Sequence, residues 1–151
     1  MQKPPISLRE RALGYLIRRE YSRSELQRKL APHAGEEDLD ALLDEFQRRN
    51  WLSDARYADQ IVHARRGKVG SLKVAHELRA QGVAEELVNG AVKGMQAEDE
   101  TSALAVWRKK FGTPAATREE WAKQARFLQS RGFSTEIIRK VLRGSEADTD
   151  E

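Results

Sequence analysis

Apolar residues recur along this chain three and four positions apart, and strict alternation is absent. That spacing writes helices, not strands. The first stripe, Ala12, Leu13, Leu16 and Ile17, predicts a helix over Leu8–Glu20, opened by Ser7 and Glu10 as a capping box. The stretch Tyr15–Leu30, YLIRREYSRSELQRKL, then holds a complete helix-to-helix corner. Ser22 and Glu25 form a second capping box, and Tyr21 and Leu26 flank it as a hydrophobic staple. Leu26 and Leu30 face one neighbour, and Ala31-Pro32 ends this second helix. A third helix after Gly35 uses Leu39, Leu42, Leu43 and Phe46.

Asn50-Trp51-Leu52 interrupts the pattern, and Ser53 caps a fourth helix with Leu52 and Tyr57 as its staple. Tyr57, Ala58, Ile61 and Val62 form its stripe, and Arg65-Arg66-Gly67 ends it. A fifth helix starts at Gly70-Ser71, buries Leu72, Ala75 and Leu78 with Val74 beside them, and stops at Gly82. A sixth covers Ala84–Lys93. The seventh, Glu98–Phe111, carries Leu104, Trp107 and Phe111 and ends at Gly112 and Pro114. Thr117 and Glu120 box the eighth, which runs through Trp121, Ala125 and Leu128 to Gly132. Phe133 and Ile138 staple a ninth that buries Ile137, Ile138, Val141 and Leu142.

The stripes repeat. Leu13, Ala58 and Ala103 are 45 residues apart, as are Leu16, Ile61 and Val106, and Ile17, Val62 and Trp107. Leu30, Leu78 and Leu128 correspond in the second helices, and Leu39-Leu42-Leu43, Val88-Ala91-Val92 and Ile138-Val141-Leu142 share one pattern in the third. The chain therefore reads as all-α: three tandem three-helix, helix-turn-helix-like repeats stacked into an elongated curved array. The repeats are placed at 7–52, 53–96 and 97–144, between a flexible arm at 1–6 and an acidic disordered tail at 145–151. A unit of this size buries too little to be stable alone, so the units must stack. The concave side of such a stack suits wrapping a partner.

Composition adds three constraints. A charged fraction of 34% against 39% apolar residues favours narrow helical stripes over one thick core. With no cysteine there is neither disulfide nor thiolate metal site, which suits a reducing compartment. No stretch has transmembrane length and the N-terminus has no apolar signal core, so the expected address is the cytoplasm, without membrane contact. Net charge is +3; setting aside the four acids of SEADTDE from Ser145 leaves +7 on residues 1–144. A basic body of this kind points to a polyanionic or acidic partner.

Catalytic chemistry finds little support. His33, His63 and His76 have no metal-ligand spacing. The pairs Glu36-Glu37, Glu85-Glu86 and Glu119-Glu120 sit in first helical turns, where the helix dipole favours carboxylates. GKVGS at Gly67–Ser71 has phosphate-loop letters in the wrong order and no preceding strand, although Gly70-Ser71 at a helix start could hold one phosphate on free amides. The chain is read as a non-enzyme with no cofactor and no metal. Trp51, Trp107 and Trp121 fall on stripes or at a corner and are read as core, not as base-stacking platforms.

The basic residues say more. First helices end in Arg18-Arg19, in Arg65-Arg66 with Lys68, and in Arg108-Lys109-Lys110. Helix dipoles alone favour cations there, by about 0.3–1 kcal/mol. In a stacked repeat, however, the clusters recur at equivalent sites and form a stripe spaced like contacts to a polymer. The candidate partner-binding or DNA-binding face is Arg18, Arg19, Arg23, Arg28, Lys29, Arg65, Arg66, Lys68, Lys73, Arg79, Lys109 and Lys110.

Two stretches carry a family resemblance. ALGYLIRREYSRSELQRKL, Ala12–Leu30, resembles the opening pattern of the RecX family, the bacterial regulators of the RecA recombinase. NWLSDARYADQIVHARRGKVGSLKVAHELRAQGV, Asn50–Val83, resembles its most characteristic region: a hydrophobic corner, Asp-x-Arg-Tyr-Ala, a basic run with Gly, then Glu-Leu-x-x-x-Gly. Residues 97–143 agree in pattern, with Trp121 and Phe127 where less bulk is expected. The resemblance implies an all-helical array that docks in the groove of the RecA–DNA filament. There it would inhibit strand exchange and ATP hydrolysis, limit filament growth, and moderate recombinational repair and the SOS response. It implies the RecA filament as partner and, within it or weakly, single- or double-stranded DNA; the chain itself is expected to be a monomer. The alternatives are a direct nucleic-acid binder built of helix-turn-helix-like units, and a helical adaptor for another acidic partner.

Overall fold

The computed structural model describes residues 5–147, and every regular element in that range is an α-helix. The first unit is α1 (Leu8–Arg18), α2 (Arg23–Ala34) and α3 (Leu39–Arg48). α4 (Asp54–Arg65), α5 (Ser71–Ala80) and the first half of α6 (Glu85–Lys110) make the second. The second half of α6, α7 (Arg118–Ser130) and α8 (Thr135–Ala147) make the third. Each unit has its own core: Leu26, Leu30, Leu43 and Phe46 centre the first, Val74, Leu78 and Val88 the second, and Trp107, Leu128, Phe133 and Leu142 the third.

The start signals act through their N-cap oxygens. Ser7, Ser22, Ser53 and Thr117 each accept the N–H three residues on, at 3.0–3.2 Å. The return half of the boxes is spent elsewhere. Both oxygens of Glu25 take the Arg19 guanidinium, and Glu120 accepts the N–H of Ala116. The staples Tyr21–Leu26 and Phe133–Ile138 each lie within one core. Leu52 and Tyr57 do not: Leu52 completes the first core and Tyr57 the second, so this pair marks the crossing between units.

Three expectations are corrected. The sixth and seventh helices are one: α6 runs unbroken for 26 residues through the expected boundary at 96–97. Gly94 keeps a helical φ, no proline intervenes, and Met95, Asp99, Ala103 and Trp107 are buried at four-residue spacing along the same face. α2 continues past Pro32 to Ala34, because a proline φ is helical and the ring removes only one hydrogen bond. α8 reaches Ala147, beyond the expected end at Gly144. The first four residues of the arm and the last four of the acidic tail lie outside the described residues.

Adjacent units meet through one kind of joint, used twice. The start of a unit's second helix seats on the glycine corner that ends the next unit's second helix. Between units one and two, the Ser22 hydroxyl donates to the Gln81 carbonyl at 2.8 Å, and a Cβ on Gly82 would fall 2.1 Å from the Ser24 Oγ. Between units two and three, the Gly70 and Leu72 N–H groups donate to the carbonyls of Arg131 (2.7 Å) and Gly132 (3.2 Å). A Cβ on Gly70 would fall 2.2 Å from the Gly132 oxygen. The recurrence of this joint is the structural form of the sequence repeat.

The second joint is reinforced from α6. Gly70 is the N-cap of α5 and has no side chain to offer, so buried Asp99 does the capping from outside, accepting the Ser71 N–H at 3.1 Å and the Ser71 hydroxyl. Asp99→Ala leaves both donors buried and unpaired, and we expect a loss of about 1–3 kcal/mol in urea unfolding. Asp99→Asn, which keeps one acceptor, should recover part of it. An Ala midpoint equal to wild type would show that water takes over the cap.

Candidate functional site

An open groove of about 550 Å³ lies where the second and third units meet, lined by Gly67, Lys68, Ala105, Val106, Lys109, Lys110, Phe127 and Arg131. Each wall follows from local sequence. Gly67, at φ +78°, ends α4, and the Lys68 and Val69 N–H groups fold back onto the Arg65 carbonyl. That turn buries Val69 and leaves Lys68 exposed. On α6, Ala105 and Lys109, and Val106 and Lys110, stand one turn apart on one face. Phe127 in the last turn of α7 and Arg131, its C-cap, are likewise four residues apart, and the bond from Gly70 N–H to the Arg131 carbonyl brings that helix end beside Lys68.

Four cations and no acid line this groove. The Lys110 ammonium and Arg131 guanidinium lie 5.5 and 5.1 Å from the Phe127 ring centre, and Phe111 meets that ring edge-on at 5.5 Å. Lys68 and Lys109 are exposed and have no ion-pair partner among the described residues. The α4, α6 and α7 C-termini converge here, so backbone partial charge at the groove is negative and favours these side chains.

The rest of the expected stripe is differently employed. Arg19 pairs with Glu25 and lies 3.6 Å from the Tyr21 ring centre; Arg23 pairs with Asp44 at 2.6 Å and Asp40 at 3.7 Å. Arg65 pairs with Glu77, Arg66 with Glu98 and Arg79 with Glu85, at 2.6–2.9 Å. Hydrogen bonds to these carboxylates hold the Arg19, Arg65 and Arg79 guanidinium groups above their ordinary range, and the Arg79 bond holds the Glu85 carboxyl below its own. Arg28 donates to the Gln81 side chain, Lys29 stands over Tyr15 and Tyr21, Lys73 reaches the Ser130 carbonyl at 3.4 Å, and Arg18 is exposed. Of the twelve expected residues, the groove gathers Lys68, Lys109 and Lys110 and adds Arg131, which the stripe omitted. Arg131 precedes a helix-ending glycine, as Arg66 does, and that parallel was its sequence signal.

Other expectations fail for clear reasons. At the α5 start the amides of Gly70, Ser71 and Leu72 are taken, donating to Arg131, Asp99 and Gly132, so these three are not free for a phosphate. Of the tryptophans only Trp107 is core; Trp121 is exposed, and Trp51 lies on Phe46 with Arg9 and Arg49 over its ring. Ile17 is 85% exposed because α1 ends one residue later and its flank has no neighbour to cover it. Leu72 is also exposed, since α5 buries the face carrying Val74, Ala75 and Leu78.

Residues 53–92 match the family model described as the second three-helix domain of RecX, and residues 98–142 match the third. The chain is 41% identical over 152 residues to the regulatory protein RecX of Ralstonia nicotianae, covering all of this chain and 96% of the relative. It is 46% identical over 142 residues to that of Neisseria meningitidis serogroup B, covering 93% and 92%. The chain belongs to the RecX family. The crystal structure of RecX from Lactobacillus salivarius superposes with a TM-score of 0.74 at 19% identity, covering 93% of this chain and 95% of that one. A second RecX crystal structure gives 0.72 at 23%, covering 89% and 70%. The RecX fold thus extends across all three units, and the groove lies between the two that match RecX domains. Among the described residues no helix is long and apolar enough to cross a membrane.

Proposed function

We propose that this RecX-family chain is a non-catalytic regulator of RecA that binds along the RecA–DNA filament and limits its ATP hydrolysis, strand exchange and growth. In the cell this would moderate recombinational repair and the SOS response from the cytoplasm. The observation that carries the reading is the groove between units two and three. It gathers four cations without an acid, while Arg19, Arg23, Arg65, Arg66 and Arg79 of the expected stripe are paired with the chain's own carboxylates. Binding as a monomer, each copy would add one such contact along a polymer, and repeated modest contacts gain by effective concentration.

The test titrates the protein into RecA's DNA-dependent ATPase and measures its binding to bare single-stranded DNA in the same buffer. Inhibition well below RecA stoichiometry, with weak binding to bare DNA, is the expected result. Inhibition only once the protein has covered the DNA, with affinity falling steeply as salt rises, would replace this reading by direct nucleic-acid binding.

A further inference from the structure

The groove's chemistry is not that of a phosphate cradle. Phosphate is held by backbone N–H groups, helix N-termini and neutral donors as well as by cations. Here three helices present their C-termini, and the nearby amides of Gly70, Ser71 and Leu72 are already bonded. No Ser, Thr, Asn, Gln or Tyr lines the groove. Between the cations the walls are Ala105, Val106 and Phe127.

We infer that the groove receives an acidic polypeptide segment of the partner, with an aliphatic or aromatic side chain on Val106 and Phe127 and flanking carboxylates on Lys68, Lys109, Lys110 and Arg131. The negative ends of three helix dipoles keep anions off the floor and hold them at the tips of long side chains on the rim. The floor takes the group that has no charge. A peptide can set an apolar aliphatic or aromatic group between its charges, whereas a nucleic acid sets bases there, whose polar edges would meet no donor or acceptor on the side chains of Ala105, Val106 and Phe127. The inference deepens the regulatory reading and rests on it for the partner's biology.

The test uses the full chain alone. Two fluorescent peptides of about ten residues, rich in Asp and Glu, differ only in a central Phe or Ala, and an oligothymidylate of equal charge is compared with them by anisotropy. The Phe peptide should bind about tenfold more tightly than the Ala peptide, as expected for burying one large apolar side chain. It should also bind more tightly than the oligonucleotide. Lys109→Glu, at an exposed unpaired position, should weaken it severalfold while leaving the circular dichroism unchanged. Equal binding of the two peptides, tighter binding of the oligonucleotide, indifference to Lys109→Glu, or no peptide binding would each overturn the inference. RecA is absent from the assay, so peptide binding by a chain that fails to inhibit RecA would overturn the regulatory reading alone.

Discussion

Gly132→Ala is expected to destabilise the protein by roughly 2–5 kcal/mol, the largest loss we predict for so small a change. Two costs add. Gly132 sits at φ +90°, where an L side chain costs about 1–2 kcal/mol. The new Cβ would also fall 2.3 Å from the Lys73 Cβ and 2.6 Å from its backbone nitrogen, and overpacking of this kind costs about 1–3 kcal/mol. Lys73 lies in the first turn of α5, whose neighbours Gly70 and Leu72 bond back to Arg131 and Gly132, so the clash cannot relax by moving a side-chain end. Gly67→Ala is the control. Gly67 has φ +78°, close to that of Gly132, with nothing within 4 Å of the added atom, so it bears only the backbone cost. In urea unfolding, the Gly132 variant should lose at least twice what the Gly67 variant loses. Equal losses would mean that the joint between units two and three gives way easily. A domain of ordinary stability has only about 5–15 kcal/mol in total, so the full effect would leave the third unit close to detachment.

That joint also shows what the sequence could and could not reveal. Helix starts were legible because an N-cap is local: Ser7, Ser22, Ser53 and Thr117 each act within three residues of themselves. The repeat was legible because burial at Ala58 and Ala103, or at Leu30, Leu78 and Leu128, imposes the same spacing in every unit. The continuity of α6 was not, because it is decided by Met95 and Asp99 being buried against residues far along the chain. Glycine was the ambiguous letter. Gly82 and Gly132 end helices at positive φ, whereas Gly94 sits inside one. Nor could sequence show which cations are free. Arg65 and Lys68 are alike on paper, but Glu77 comes back from α5 to neutralise the first, and among the described residues no acid pairs with the second. A charge cluster is a one-dimensional fact, and its net field depends on which acids the fold returns to it.

Lys68→Glu combined with Lys109→Glu is therefore expected to raise the concentration needed for half-inhibition of RecA's DNA-dependent ATPase at least tenfold, with unfolding changed by no more than about 0.5 kcal/mol. Both side chains are exposed, both line the groove and neither holds the fold together. Reversing them turns four positive charges into two of each sign, which removes the field that selects an anionic partner. Arg79→Glu is the informative comparison. It belongs to the same expected stripe and is equally accessible, but its charge is already engaged by both oxygens of Glu85. An anion approaching it must first displace a bidentate partner, so its loss should shift half-inhibition by less than about twofold, within what a neutralised surface charge contributes. If Arg79→Glu proved as damaging as the groove pair, the contact would run along the whole basic stripe and the groove would lose its special standing. If the groove pair proved harmless in a folded protein, the regulatory contact would lie on another face. Only damage confined to the groove fits a chain that pairs Arg19, Arg23, Arg65, Arg66 and Arg79 with its own carboxylates and gathers Lys68, Lys109, Lys110 and Arg131 where two repeats meet.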